Sequence, residues 1–494
     1  MSTSEPLALS AVSSPIRLGT WVQLDPGVTF FNPELIAGGA PWRLLRVPGT
    51  SSRLVESWRH GAVIEPGQDR FARTLVQQGL LHPRYESALD LDDVDVVIPV
   101  FDNAMGLEKL LNSLGALHVT VIDDGSSTAH EIAHVVAKHS AKLIRCHTNG
   151  GPARARNLGL AATTRPFVWF LDADVVLGTR AVELSRLLAN FEDPLVAAVA
   201  TRVIGAPGPS ARDHFEQHHC PLDMGAVSGL VVPGSKISFV PSASLVVRRT
   251  ATGSGFDETL RVGEDVNFAW QLHDRGWLVR YDATHKVEHT ARDSWRGWFT
   301  QRIQYGRSAS ELARLHPERM APLRADAWTL AAWGAIVARQ PRMAGAVVDI
   351  ARRSVREQLP DTITNRDDVA NHIALQGIMR SGGPLARSLV RTYAPVVIVG
   401  VLSSRTRVAS MALLGASTAW RWREQRTVHP RDIGLSLVDD VAYSLGVWAG
   451  ALSQRNATAV TPKISLPRDG LKSLVSRQKL GQQLLRKVTR DAVI

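Results

Sequence analysis

The apolar run Phe167-Val168-Trp169-Phe170-Leu171 breaks abruptly into Asp172-Ala173-Asp174. A short run rich in aromatic and branched residues, bounded in this way, reads as a buried strand. Its end then places two carboxylates at the carboxyl edge of a sheet, where open α/β sheets bind their ligands. Alternate residues of an extended chain point the same way, so Asp172 and Asp174 can converge on one hard cation. An Asp after a strand is also an ordinary turn residue, so the pair gains meaning only from what surrounds it.

Upstream, three further strands end in polar loops. Val94 to Val100 runs into Phe101-Asp102-Asn103, with Leu107, Leu110, Leu111 and Leu114 spaced as one helical face. Val119 to Ile122 runs into Asp123-Asp124-Gly125-Ser126-Ser127, and Leu143 to Cys146 leads to Asn149-Gly150-Gly151-Pro152. The spacing is that of βαβ units, which predicts an α/β domain built on a mostly parallel, Rossmann-like sheet with its loops at one edge. That edge carries Asp124, Arg154, Arg156 and the Asp172/Asp174 pair. Acids, arginines and a Gly-rich helix start suit a sugar nucleotide, whose diphosphate is neutralised by cations and whose base or ribose is bound by a carboxylate.

This ordered set closely resembles the nucleotide-sugar domain of family 2 glycosyltransferases, which have the GT-A fold. The matching residues are Ile98-Pro99-Val100, Asp123 to Ser127, Gly151 to Gly159, Asp172-Ala173-Asp174, Gly255-Phe256-Asp257-Glu258 and Gly263-Glu264-Asp265-Val266-Asn267. The resemblance covers about residues 92 to 310. It implies an inverting transferase with Asp265 as general base and a donor site containing Pro99, Phe101, Asp124, Gly151, Arg154, Arg156 and Asp172. It also implies Mg²⁺ or Mn²⁺ held by Asp172, Asp174 and His289, with Glu264, Gln301 and Tyr305 facing the acceptor. Processive relatives carry Gln-x-x-Arg-Trp on an acceptor-binding helix. Here Gln301 to Arg307 keeps Gln301 and an aromatic, Tyr305, but has Gln304 in place of the Arg.

The chain has 494 residues, which suggests two or three domains. Residues 1 to 90 form small strands around Trp21 to Phe30 and Leu35 to Ala40, then helical patterns at Ser51 to Trp58 and Asp69 to Gln78. This pattern resembles winged-helix peptide-recognition domains and predicts a small, separable α+β module that binds a peptide partner. Residues 91–310 are then the catalytic domain and residues 311–494 a helical C-terminal extension. Trp21 to Asp25, Gly38 to Arg46, Gly79 to Arg84 and Asp439 to Trp448 add a resemblance to the mycofactocin-system branch of the family. That branch implies UDP-glucose as donor and a peptide-derived redox cofactor as acceptor, with β-linked glucoses added in succession.

Two cysteines and an amino terminus without a secretory pattern predict a cytoplasmic enzyme. A net charge of +11 favours anionic partners. Residues 1–90 hold no basic recognition-helix cluster, which argues against nucleic acid as a partner. The apolar runs at Trp328 to Ala338, Tyr393 to Ser404 and Val408 to Ala419 are each shorter than the ~20 residues of a spanning helix. They predict packed helices, and the basic stretch from Lys463 to Arg490 offers at most a peripheral membrane contact. Within the same enzyme class, the competing product is a cell-envelope polysaccharide or a lipid-linked sugar.

Overall fold

The computed structural model describes residues 14–86, 89–178, 180–361, 363, 365–425 and 430–465. Most of the basic stretch expected to meet a membrane, residues 466–490, lies outside them. Two compact units divide between Ala291 and Arg292. The boundary expected at 310 therefore moves earlier, and the helix bearing Gln301 and Tyr305 opens the second unit.

The first unit begins with strands β1 (Trp21–Leu24), β2 (Thr29–Asn32), β3 (Leu35–Gly38) and β4 (Arg43–Arg46). Helix α1 (Gly49–Ser57), β5 (Ala62–Val63), helix α2 (Asp69–Gln77) and β6 (Leu81–Arg84) follow. β2, β3 and β4 form an antiparallel meander, and β5, β1 and β6 a second antiparallel sheet. α2 buries Phe71, Ala72, Leu75 and Val76, one apolar face at helical spacing.

The large sheet then builds by alternation: β7 (Val94–Val100), α3 (Ala104–Leu114), β8 (His118–Asp123), α4 (Ala129–Lys138), β9 (Lys142–Arg145), α5 (Pro152–Ala162) and β10 (Phe167–Leu171). It continues with β11 (Val175–Leu177), α6 (Arg180–Ala189), β12 (Val196–Gly205), α7 (Ala211–His219), β13 (Gly229–Leu230), β14 (Ser244–Arg248), α8 (Glu264–Asp274) and β15 (Leu278–His289). The order is β11-β15-β12-β14-β10-β7-β8-β9, with β13 paired to β15. β10, β7, β8 and β9 are parallel, as the βαβ spacing predicts. β14 runs antiparallel to both β10 and β12, so the sheet as a whole is mixed. A parallel neighbour needs a crossover element, and β14 is entered from a loop instead.

Residues before β7 pack into the same compact unit as the large sheet. Val22, Leu75 and Leu80 share one core with Val94, Ile98, Leu107 and Leu188. The buried Arg73 grips Asp193, which precedes β12, with two bonds of 2.7 and 3.0 Å, and Tyr85 donates to the same carboxylate at 3.2 Å. Removing one partner of such a pair strands the other charge, at a cost of about 3–5 kcal/mol. Arg73→Ala should therefore lower the unfolding midpoint sharply in denaturant titration. A chain beginning near Glu86 should be insoluble because it loses the buried residues from Ile16 to Leu81 and exposes the core they cover. Soluble, cooperative unfolding of that truncation would show that the two parts fold separately.

The second unit is helical: α9 (Trp295–Leu315), a short strand β16 (Arg324–Asp326), α10 (Ala327–Val337), α11 (Pro341–Gln358), α12 (Arg366–Leu402), α13 (Arg407–Gln425), α14 (Pro430–Ser453) and β17 (Lys463–Ser465), which pairs parallel with β16. α9 and α14 approach closely because glycines face backbone. A Cβ on Gly306 would lie 2.0 Å from the Tyr443 carbonyl, and one on Gly446 2.0 Å from the Ile303 carbonyl. α12 spans 37 residues but is kinked at Tyr393, whose φ −120° and ψ 29° are not helical, so the apolar run from Tyr393 begins at the kink and its helix ends at Leu402. By length and composition, Arg366–Leu402 and Asp432–Ser453 are long and apolar enough to cross a membrane.

Candidate active site

The carboxyl ends of β7 and β8 carry the first cluster. Asp123 is fully buried and accepts from the Ser126 amide at 2.8 Å, with Arg145 at 3.3 Å. Asp124, also buried, accepts from the amides of Gly150 and Gly151 at 2.8 and 2.7 Å. Its carboxylate therefore pins the Gly-rich loop that enters α5. Gly151 has φ +94°, a left-handed conformation that favours glycine, and a Cβ there would crowd Arg261. Arg261 itself donates to Asn149 at 2.8 Å, and Arg154 lies against Gly150. The helix N-terminus thus meets two arginines, a combination that attracts phosphate. Pro99 is on β7, and Phe101, just beyond it, is exposed. Asp102 accepts from the Ser127 amide and hydroxyl, which hold its carboxyl below the ordinary range.

Arg156 joins the second cluster. Its buried guanidinium donates to Asp172 at 2.6 Å and to Glu264 at 2.7 Å, and it stacks over Phe256 with its centre 5.5 Å from the ring centroid. One side chain from α5 therefore ties the end of β10 to the start of α8. Glu264 is buried and spends an oxygen on Arg156. Burial, reinforced by the Asp265 charge, holds the Glu264 carboxyl above the usual carboxylate range while Arg156 pulls it down. Asp265 accepts from the Val266 amide at 2.7 Å. Desolvation raises its carboxyl too, against the Arg156 charge and with Asp172 adding to the rise.

The third cluster follows from pairing β11 with β15, which sets Val175 opposite His289. Asp174 Oδ1 consequently lies 3.3 Å from His289 Nε2. Asp172 is turned to Arg156, so the alternate carboxylates of Asp172-Ala173-Asp174 serve different partners. Among the described residues, no three of His, Cys, Asp and Glu converge as a metal-binding group.

Arg156 was expected as a donor contact, and the structure makes it the link between clusters. Arg261 has no signal in the sequence, since a single Arg in Leu260-Arg261-Val262 carries no motif, whereas its partner Asn149 opens the Gly-rich loop. Gln301 and Tyr305 lie on α9 in the other unit. Gln301 Oε1 accepts from Arg302 at 3.1 Å, and the Arg302 guanidinium lies 5.9 Å from the Tyr305 ring centroid.

The sequence model described as Glycosyl transferase family 2 matches residues 95–255. The pre-mycofactocin glycosyltransferase of Mycobacterium tuberculosis is 36% identical over 465 residues, covering 90% of this chain and 98% of that protein. The poly-β-1,6-N-acetyl-D-glucosamine synthase of Staphylococcus aureus is 21% identical over 232 residues, covering 45% of this chain and 56% of the synthase. Among solved structures, a mannosyltransferase from Pyrobaculum calidifontis in complex with GDP-Man and Mn²⁺ aligns with 16% identity over 69% of this chain and 91% of its own. Its TM-score is 0.35, too low to carry an inference. Near-complete coverage at 36% identity places the chain in the pre-mycofactocin glycosyltransferase family, a branch of glycosyl transferase family 2.

Proposed function

We propose that this glycosyltransferase moves glucose from UDP-glucose, with inversion, onto the peptide-derived redox cofactor of the mycofactocin system, adding several β-linked glucoses in succession. The observation that carries the reading is the Arg156 link, which holds the Asp172 edge and the Glu264-Asp265 turn together through one guanidinium. A single-displacement reaction needs a leaving-group site and a base in one place, and Arg156 couples the elements that supply them.

The donor nucleotide would lie over Pro99 and Phe101, with Asp124 fixing Gly150 and Gly151 beneath it. Arg154, Arg261 and the α5 N-terminus would attract the diphosphate. Asp174 and His289 fit a divalent cation, because a carboxylate oxygen and an imidazole nitrogen 3.3 Å apart leave the remaining positions to phosphate and water. Asp172 has only its second oxygen to add. When bound, Mg²⁺ or Mn²⁺ would offset the charge that grows on the departing diphosphate. Asp265 would take the proton of the attacking hydroxyl. Glu264 would act through Arg156, holding the guanidinium that orients Asp172.

The raised Asp265 carboxyl gives the pH dependence a sign. A general base works deprotonated, so kcat/KM should rise with pH through a value above the ordinary carboxylate range and level off on the alkaline side. Rates measured across buffers from acid to neutral pH check this. An acid limb at the unperturbed Asp value would assign the proton transfer to another group.

The open edges of the β2-β3-β4 meander would take an extended peptide partner by strand addition. The reaction would proceed in the cytoplasm, with the helical unit in peripheral contact with a membrane. That unit exposes Val396, Val399, Leu402, Val408 and Met411. Release of the nucleotide across a panel of UDP- and GDP-sugars, with the cofactor acceptor and with or without Mn²⁺, tests the transfer. Metal-dependent UDP release from UDP-glucose is expected. A GDP-sugar preference, or equal turnover in chelator, would overturn it.

A further inference from the structure

Sugar transfer as described leaves one acid–histidine pair without a task. The pair lies inside β15, where the ladder with β12 skips. Thr201 stands opposite Asp282 and the next residue, Arg202, opposite Lys286, so Ala283, Thr284 and His285 are inserted between consecutive positions. On its other edge β15 changes partner across the same three residues. Arg280 and Tyr281 pair with β13, whereas Val287 to His289 pair with β11. An insertion of this kind is a β-bulge, which re-aims the side chains beyond it.

Side chains hold each inserted residue. Ser228 Oγ accepts from the Ala283 amide at 2.9 Å. Asp282 Oδ1 accepts from the Thr284 amide at 2.9 Å and from the Thr284 hydroxyl, and Asp282 Oδ2 lies 2.9 Å from His285 Nδ1. Burial works to raise the Asp282 carboxyl, but the bonds from His285 and Thr284 hold it down at about 2. An ionised carboxylate only accepts, so His285 Nδ1 donates to it. His285 is 7% exposed, although Thr284 and Lys286 on either side of it are exposed. The bulge is thus latched shut from within.

The latch decides where β15 ends. With the insertion, His289 stands opposite Gly205 on β12 and Val175 on β11, and its ring meets Asp174 at 3.3 Å. If the ladder ran on from Asp282 without a break, Lys286 would stand opposite Gly205. His289 would then lie three positions further along, about 10 Å away at the rise of a strand. A shift by an odd number of residues also turns side chains to the opposite face of the sheet.

We propose that Asp282 and His285 are positioning residues for the bound cation, closing the bulge that brings His289 into register with Asp174. This role rests on the reading of Asp174 and His289 as the cation's ligands. A bulge that only stabilised the sheet would move the unfolding temperature and leave the metal affinity of the folded chain unchanged. A positioning bulge changes the affinity itself, because imidazole and carboxylate must meet on one ion.

Binding of Mn²⁺ to the full chain in the presence of UDP, followed through the electron paramagnetic resonance of free Mn²⁺, tests the role. His285→Ala should weaken binding about tenfold, the lower end of the effect of residues that orient metal ligands. His285→Asn, whose amide can donate from the place of Nδ1, should recover most of that loss. Raising Mn²⁺ should restore UDP release by His285→Ala, since the base and the nucleotide site are untouched. His289→Ala sets the scale, with a loss at least as large. Wild-type affinity in His285→Ala beside a weakened His289→Ala would overturn the positioning role and leave the cation site standing. An Asn variant as weak as the Ala variant would overturn it too. Wild-type affinity in His289→Ala would instead remove the cation site, and the positioning role with it. Should circular dichroism show that His285→Ala does not fold, Thr284→Ala decides. That residue is exposed and its hydroxyl bonds Asp282, so weaker Mn²⁺ binding is expected and undiminished binding would overturn the role.

Discussion

Replacing Asp265 with Asn is expected to lower kcat by about 10²–10⁴, the usual worth of a positioned general base. The amide keeps the shape of the carboxylate and the bond from the Val266 amide, yet it cannot accept the acceptor proton. Donor affinity should hardly change, because Arg156 remains tied to Asp172 and Glu264. The loss should therefore fall on kcat rather than on the Kd for UDP, and the acid limb of the pH profile should disappear with it. Steady-state kinetics beside UDP calorimetry separates these effects. Wild-type turnover in the variant would move the base elsewhere, with Glu264 the nearest carboxyl. Glu264 is a poor substitute, since one of its oxygens is committed to Arg156 and the carboxyl is buried.

Asp174→Ala should be nearly as damaging. Without that carboxylate, His289 alone would have to hold the cation, and a single imidazole binds Mg²⁺ or Mn²⁺ weakly. Leaving-group stabilisation of several kcal/mol would be lost, or about a thousandfold in rate. The fold should tolerate the change, because the side chain is partly exposed and the bond from the Thr290 amide goes to the Asp174 backbone carbonyl. Calorimetry should show UDP binding that needs Mn²⁺ in the wild type and is lost in the variant. Binding of UDP in chelator, together with an active Asp174→Ala enzyme, would contradict the assignment. Asp172→Ala should act differently. It frees Arg156 and should disturb the positions of both Glu264 and the donor.

The sheet was legible where local pattern and tertiary pairing agree. Val94 to Val100 and Phe167 to Leu171 are short, apolar and bounded by turn residues, and both are buried strands. The contact of His289 with Asp174 followed from a motif position, though the pairing of β11 with β15 that produces it leaves no local trace. The antiparallel placement of β14 is equally invisible, because Ser244 to Arg248 would look the same in either direction. In the helical unit, Gly382-Gly383-Pro384 lies within α12 although glycine and proline are poor helix formers. Packing overrides the propensity there: a Cβ on Gly382 would strike Trp333 and one on Gly383 would strike Trp420, so small residues let the helices close. Asp90 to Asp93 is a capped turn, with Asp90 accepting from the Asp92 amide, and it leads straight into β7. The N-terminal strands looked modular because their patterning is local, whereas the Arg73–Asp193 pair joins residues 120 positions apart.

The most direct test of the central account is the configuration of the new glycosidic bond. UDP-glucose carries its sugar in the α configuration, and one displacement driven by a single base across the ring inverts it. Proton NMR of the first glucosylated product, made by the wild-type chain with UDP-glucose and Mn²⁺, should show the large anomeric coupling of a β-glucoside. The small coupling of an α-glucoside would mean retention, and it would remove Asp265 from the role of base in a single displacement.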